Sequence, residues 1–160
     1  LYIDVGGGST ELTFFSEGKL KYKESFNIGT IRLLKGQVND KVWDEMKDHL
    51  KQNTKSSLPM IAIGSGGNIN KVFSLSKKKE GKPLSLDLLK DYYKEFSAVT
   101  LEQRIKLYKL REDRADVIVP ALQIYINVMR WADMDEIYVP KIGLADGLIQ
   151  SLYAQIKNQG

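Results

Sequence analysis

An α/β fold, one mixed sheet with helices on both faces, is what this 160-residue sequence predicts. Three observations carry that reading. Residues 1–26 hold three short strand-like runs separated by glycine turns, the pattern of a meander. From residue 40 onward, segments of helical periodicity alternate with short apolar runs, as they do when helices cover a sheet. The segment 113–132 is apolar nearly all round, so it is expected to lie buried among its neighbours.

Residues 1–5 form the first apolar run, with Asp4 near its end, and strand character resumes at Glu11 after Gly6, Gly7 and Gly8. Glu17 and Gly18 signal a turn. Beyond it, Leu20, Tyr22 and Phe26 stand at even spacing, as in a half-buried strand. Asn39 or Asp40 can cap a helix in which Val42, Trp43, Met46 and Leu50 share a face, while His49 on its charged side is expected to be exposed. A short buried strand at 59–63 then runs into a glycine loop and a helix from Ile69. Residues 84–110 read as a peripheral helical insertion: Ser85 precedes Leu88, Leu89, Tyr92, Tyr93 and Phe96, and Thr100 with Gln103 forms a capping box. In the long apolar helix Pro120 is expected to impose a kink or to mark the effective start. A strand at 136–139 and a last helix after Gly143 complete the order, which is that of a ribonuclease-H-like, actin-like lobe. No repeat or linker divides the chain, so residues 1–160 are read as a single domain.

Composition narrows the chemistry. With no Cys and a single His, thiol catalysis, Cys-based zinc sites and His-rich metal clusters are excluded. A domain of this length buries roughly 70% of its unfolded surface, enough to fold without a disulfide or a structural metal. No apolar run approaches the roughly 20 residues of a membrane span, and no secretory leader is visible, so a cytoplasmic location without membrane partners is expected. A strand-like segment opening at Leu1 without an initiating Met suggests a piece of something longer. The 24 Lys and Arg against 20 acidic residues leave a net charge of +4, a mild bias toward anions. The densest basic cluster, Lys77, Lys78, Lys79 and Lys82, lies beside Gly81 and Pro83 and reads as a solvated loop, with no nucleic-acid partner inferred.

The chemistry concentrates in two glycine loops. In the first, Asp4 and Glu11 flank Gly6, Gly7, Gly8, Ser9 and Thr10. Glycines can adopt positive φ and leave N–H groups unshielded, so such a turn can wrap a phosphate, with Ser9 and Thr10 adding hydroxyls. The two carboxylates are hard oxygen ligands of the kind Mg²⁺ takes when a phosphate and retained waters complete its shell. A ligand-free hairpin would also use glycines, but it has no need of both acids and both hydroxyls. No Lys follows the glycines as a P-loop requires. In the second loop, Gly64, Ser65, Gly66 and Gly67 follow a strand and open a helix whose free N–H groups favour an anion; close strand-to-helix packing is the alternative use of those glycines. Arg32, after Gly29 and Thr30, can fork onto phosphate oxygens. Arg111, Asp113, Arg114 and Asp116 read as an ion-paired helix start capped by Asp113.

These residues resemble the exopolyphosphatase and guanosine pentaphosphate phosphatase (Ppx/GppA) family, within the superfamily of sugar kinases, heat-shock chaperones and actin. The resemblance runs through Asp4 to Leu12, written DVGGGSTEL, through Gly29 to Leu33, Ala62 to Gly67 and Asp113 to Ile118 with Pro120. It implies the second lobe of a two-lobed hydrolase that releases terminal phosphate from polyphosphate or guanosine pentaphosphate, with Mg²⁺ and an attacking water. Carried onto this sequence, it makes Asp4 and Glu11 metal ligands and Glu11 catalytic, and it makes Gly6, Gly7, Gly8, Ser9, Thr10, Arg32, Gly64, Ser65, Gly66 and Gly67 phosphate contacts. It also implies a first lobe, absent here, with its own phosphate loop and the Glu that acts as general base. The isolated chain is accordingly expected to be inactive. A homodimer is implied too, though no heptad or apolar stripe identifies it. Where the family carries Gly-Leu-Arg-Glu-Gly, this chain has Ala145 and Asp146 in the third and fourth places. A phosphate or alarmone sensor without turnover, and an ATP-dependent kinase or ATPase lobe, remain open alternatives, since fold does not determine function.

Overall fold

The computed structural model describes residues 1–54 and 60–140. The meander forms as expected: β1 (Tyr2–Val5), β2 (Thr10–Ser16) and β3 (Lys19–Phe26) are joined in antiparallel pairs. Glu17 and Gly18 both take positive φ, the geometry of a two-residue hairpin turn whose twist matches its strands. There follow α1 (Thr30–Leu34), α2 (Asp40–Asn53), β4 (Ala62–Ser65), α3 (Gly67–Ser76) and β5 (Leu84–Ser85). The remaining elements are α4 (Leu86–Ser97), α5 (Leu101–Tyr108), α6 (Glu112–Ala115), α7 (Ile118–Trp131) and β6 (Glu136–Tyr138). Among the described residues the strands make one sheet in the order β3-β2-β1-β4-β6-β5, with β1, β4 and β6 parallel. The helix expected after Gly143, and with it Ala145 and Asp146, lies outside the described residues.

Strand alternation sorts the side chains into two sets. Ile3, Val5, Leu12 and Phe14 are buried in the core, while Asp4, Glu11 and Thr13 alternate with them and are not. The core's centre is α7, which lies against β1 and gathers α1, α2, α3 and α4 around it. None of the described helices is long and apolar enough to cross a membrane.

Several expectations need correction. The apolar segment 113–132 is two helices, α6 and α7, separated at Asp116 and Val117. Pro120 explains the break. A continuous helix would need its missing N–H to bond the Asp116 carbonyl and would drive its ring into that carbonyl, whereas at the third position of α7 the N–H is dispensable. Asp113 does not cap α6; Arg111 holds the cap position without a side-chain bond and pairs with Asp113 at 3.0 Å on the surface. Leu20 is 54% exposed because a register shift at Phe14/Phe15 breaks its alternation with Tyr22 and sets it opposite the exposed Phe15. His49 is half-buried, its ring centroid 5.5 Å from that of Phe26 and 6.1 Å from that of Tyr22. The short elements α1 and β5 escaped the periodicity altogether, being too brief to show one.

The insertion is also not uniformly peripheral. Helix α5 buries no side chain, but α4 packs on α7 and buries Leu89 and Phe96 completely. Ser85, which precedes the helix in the sequence reading, caps α4 by accepting from the Leu88 N–H at 3.1 Å, and Thr100 with Gln103 closes the expected capping box. Phe96 stacks on Tyr92 and meets Tyr108 edge-on at 4.7 Å between centroids. Phe96→Ala is expected to cost about 3–5 kcal/mol, the range for a buried aromatic. Urea unfolding checks this; a loss under about 1 kcal/mol would return α4 to the periphery.

Candidate functional site

Both glycine loops lie at the carboxyl ends of neighbouring parallel strands, β1 and β4, where open α/β sheets bind ligands. Residues Gly6, Gly7, Gly8 and Ser9 connect β1 to β2 as a four-residue turn closed by a 2.9 Å bond from the Gly6 N–H to the Ser9 carbonyl. None of these three glycines takes positive φ, contrary to the sequence expectation. The close approach at this turn depends instead on Gly29. The start of α1 presses against the turn, and a methyl on Gly29 would fall 2.7 Å from the Gly8 carbonyl carbon and closer still to the Gly7 carbonyl.

That contact orients the turn's peptides. The Thr30 N–H donates to the Gly6 carbonyl at 3.0 Å, the Ile31 N–H to the Gly7 carbonyl at 3.0 Å, and Arg32 Nε to the Gly8 carbonyl at 2.6 Å. All peptide bonds among the described residues are trans, and in a planar trans peptide the N–H points opposite to the C=O. With three successive carbonyls directed at α1, the N–H groups of Gly7, Gly8 and Ser9 are directed away from it. None of the three has an acceptor among the described residues. Convergent, unsatisfied backbone N–H groups are an anion-binding nest.

Two carboxylates stand beside the nest. Asp4 on β1 and Glu11 on β2 are directly paired in register, so their side chains share one face and lie side by side. Ser65, paired with Asp4 across the β1–β4 ladder, extends this row on the other side. Burial, reinforced by the neighbouring Glu11 charge, holds the Asp4 carboxyl above its ordinary 3.8. Because this pKa is higher folded than unfolded, the folded chain binds the proton more tightly. Stability therefore falls as pH rises from about 3.8 through the raised value, and the deficit persists above it. Asp4→Asn is thus expected to raise the thermal midpoint at neutral pH in the presence of EDTA. An unchanged or lowered midpoint would contradict the cost of holding this carboxylate charged in its partly buried place beside Glu11.

A pair of adjacent oxygen ligands suits Mg²⁺, which keeps several waters and takes few protein carboxylates when phosphate completes the shell. Groups of three or more His, Asp or Glu side chains able to cage a metal do not occur among the described residues. The donor set fits a phosphate-assisted Mg²⁺ site and not a closed protein cage.

The second loop is built differently from its sequence reading. Gly64 belongs to β4, where a Cβ would fall 2.8 Å from Ile137 Cδ1 and 3.1 Å from Tyr125 Cε1. It is buried and serves close packing, so it is withdrawn as a phosphate contact. Thr10 is withdrawn as well: it lies inside β2, fully buried, and its hydroxyl donates to the Ile28 carbonyl at 2.6 Å. Gly66 takes φ +131°, which favours glycine, and caps α3 without a side-chain bond, leaving the first N–H groups of that helix open. Ser65 is half-buried; its Oγ accepts from the Tyr2 hydroxyl at 2.7 Å and its carbonyl from the Tyr125 hydroxyl at 2.8 Å.

Arg32 is beside the first loop but reaches it through Nε as a brace, leaving its Nη groups for other partners. Sequence reasoning missed Arg114. Its guanidinium covers Gly67 so closely that any Cβ there would collide with it, which sets a cation over the start of α3. The signal was the glycine itself, but its partner lies on another element. Burial, then the Asp4 charge, pushes the Tyr125 phenol upward, so it stays a neutral hydrogen-bond donor beneath the site.

Comparison with known proteins agrees with this architecture. Among curated proteins none matches the chain. Among solved structures, the type II variant of the Aquifex aeolicus Ppx/GppA phosphatase matches with a TM-score of 0.74 and 24% identity, over 94% of this chain and 55% of that one. An exopolyphosphatase from Cytophaga hutchinsonii matches with a TM-score of 0.69 and 21% identity, over 97% of this chain and 57% of that one. The fold is thus the ribonuclease-H-like, actin-like one expected from the element order, and the chain spans a little over half the length of these relatives. The model of the Ppx/GppA phosphatase family matches residues 1–155, and the chain belongs to that family.

Proposed function

We propose that this chain is one lobe of a phosphoanhydride hydrolase of exopolyphosphatase type, releasing terminal phosphate by water attack. The observation that carries the proposal is the turn whose Gly6, Gly7 and Gly8 carbonyls are committed to α1, so that the N–H groups of Gly7, Gly8 and Ser9 face away from it beside two paired acids. Phosphoryl transfer asks the protein mainly for positioning and for charge stabilisation at the transferred group. The nest supplies fixed donors for phosphoryl oxygens, at no reorganisation cost, and Ser9 Oγ adds a further donor. Glu11 is the catalytic candidate, placed to orient water on the face it shares with Asp4. When bound by Asp4 and Glu11, Mg²⁺ would neutralise charge on the phosphoryl oxygens. The open start of α3, with Gly66 and Gly67, extends the anion surface for the next phosphate of a chain.

The general base is assigned to a first lobe facing this one, so the isolated chain binds phosphoanhydrides without turnover. Calorimetric titration of the chain with pyrophosphate, with and without Mg²⁺, tests the binding half. Saturable binding that Mg²⁺ strengthens is expected; no binding under either condition overturns the proposal. Phosphate release is then measured from polyphosphate and guanosine pentaphosphate, for the chain alone and joined to its first lobe. Both substrates present a terminal phosphoanhydride, and the ratio of their kcat/KM values decides which is preferred. Binding of guanosine pentaphosphate by the two-lobed protein without release would identify a sensor instead.

A further inference from the structure

Ser65 is held from two sides by phenols of distant elements, and the proposed function leaves Tyr2, one of the two, without a role. A serine hydroxyl offers one donor and two acceptor sites. Tyr2 is two residues before Asp4 on β1 and its side chain takes the same face. From there its hydroxyl reaches diagonally to β4 and donates to Ser65 Oγ at 2.7 Å. The Tyr125 hydroxyl, from α7, fixes the Ser65 carbonyl at 2.8 Å, so backbone and side chain of this one residue are both pinned. Among the described residues nothing accepts the proton of Ser65 Oγ. Meanwhile the residue stands in the cross-strand row with Asp4 and Glu11 and directly precedes the start of α3.

We propose that Tyr2 is a positioning residue: by donating to Ser65 Oγ it sets the hydroxyl so that the Ser65 proton is donated to a phosphoryl oxygen lying between the glycine turn and the start of α3. The inference rests on the phosphoanhydride reading of that site and adds to it a side-chain donor on the β4 side. An unpinned serine samples three staggered rotamers, and only one can serve the ligand. The phenol selects that rotamer, and its O–H···O bond polarises the serine O–H it feeds.

The test is a double-mutant cycle on pyrophosphate affinity in Mg²⁺, using the whole chain. Tyr2→Phe keeps the ring and removes only the hydroxyl. It is expected to weaken binding about five-fold, the worth of one neutral hydrogen bond. Ser65→Ala should weaken binding by at least as much, and the double variant should be no worse than Ser65→Ala alone, because Tyr2 acts only through Ser65. A purely structural role predicts a different pattern: a lowered thermal midpoint for Tyr2→Phe with unchanged affinity. That pattern overturns the proposal, as do additive losses in the double variant. Should Tyr2→Phe fail to fold, Ser65→Ala against Ser65→Thr asks whether the hydroxyl itself matters, and equal affinities overturn the proposal. If the unaltered chain binds no pyrophosphate, the phosphoanhydride reading falls first. If it binds and Tyr2→Phe binds equally well, only the role of Tyr2 falls.

Discussion

Gly29→Ala is expected to destabilise the chain by about 3 kcal/mol, the upper part of the range for overpacking, and to weaken pyrophosphate binding at least 100-fold. The two effects have one origin. A methyl at position 29 meets backbone, the Gly7 and Gly8 carbonyl groups, and not the movable end of a side chain. Either α1 withdraws from the turn or the turn rotates, and both break the bonds from Thr30, Ile31 and Arg32 that aim the three peptides. Chemical denaturation and calorimetry read the two losses separately. Full affinity with reduced stability would show that the nest does not depend on α1. For stability Gly8→Ala is the natural control, since a Cβ there meets no atom within 4 Å. The comparison separates the glycine that must be small for packing from one whose surroundings are open.

The second large effect concerns turnover. In a protein carrying both lobes, Glu11→Gln is expected to lower phosphate release from polyphosphate about 10²–10³-fold, the typical loss when one preorganised electrostatic group is removed from a site. The change preserves shape and removes the charge that Glu11 places beside Asp4. It should therefore also bring the Asp4 carboxyl down toward its ordinary range, because the Glu11 charge is one of the two causes holding it up. NMR titration of Asp4 detects that shift without any turnover. A variant that keeps its rate would remove Glu11 from the mechanism, whereas a lost rate with unaltered Asp4 titration would contradict the coupling between the acids.

The two acids show how far residue order can carry a functional reading. Asp4, Gly6, Gly7, Gly8, Ser9 and Glu11 are close along the chain, and a strand-turn-strand segment has few ways to fold, so a glycine turn flanked by paired carboxylates was legible before any coordinate. The caps at Asn39, Ser85 and Thr100 were legible for the same reason, each being a bond between residues three apart. Thr10 and Gly64 were misplaced because membership of a loop or a strand depends on the partner strand. Register buries Thr10 against the Ile28 carbonyl and sets Gly64 beneath Ile137 and Tyr125. Arg114 reads from the sequence as part of an ion-paired helix start, since nothing in its own neighbourhood announces Gly67.

What the amino-acid order determined without help was therefore the local chemistry and the alternation of elements, because hydrophobic period, glycine turns and caps act between residues a few positions apart. Only the tertiary structure decided which way the turn's peptides face, which glycines are spacers, and which tyrosines hold Ser65. Those outcomes depend on contacts such as Gly29 on Gly7 and Tyr2 on Ser65, formed between elements remote in sequence. Their selection rests on excluded volume and hydrogen-bond geometry in the packed state, for which a linear pattern has no signature.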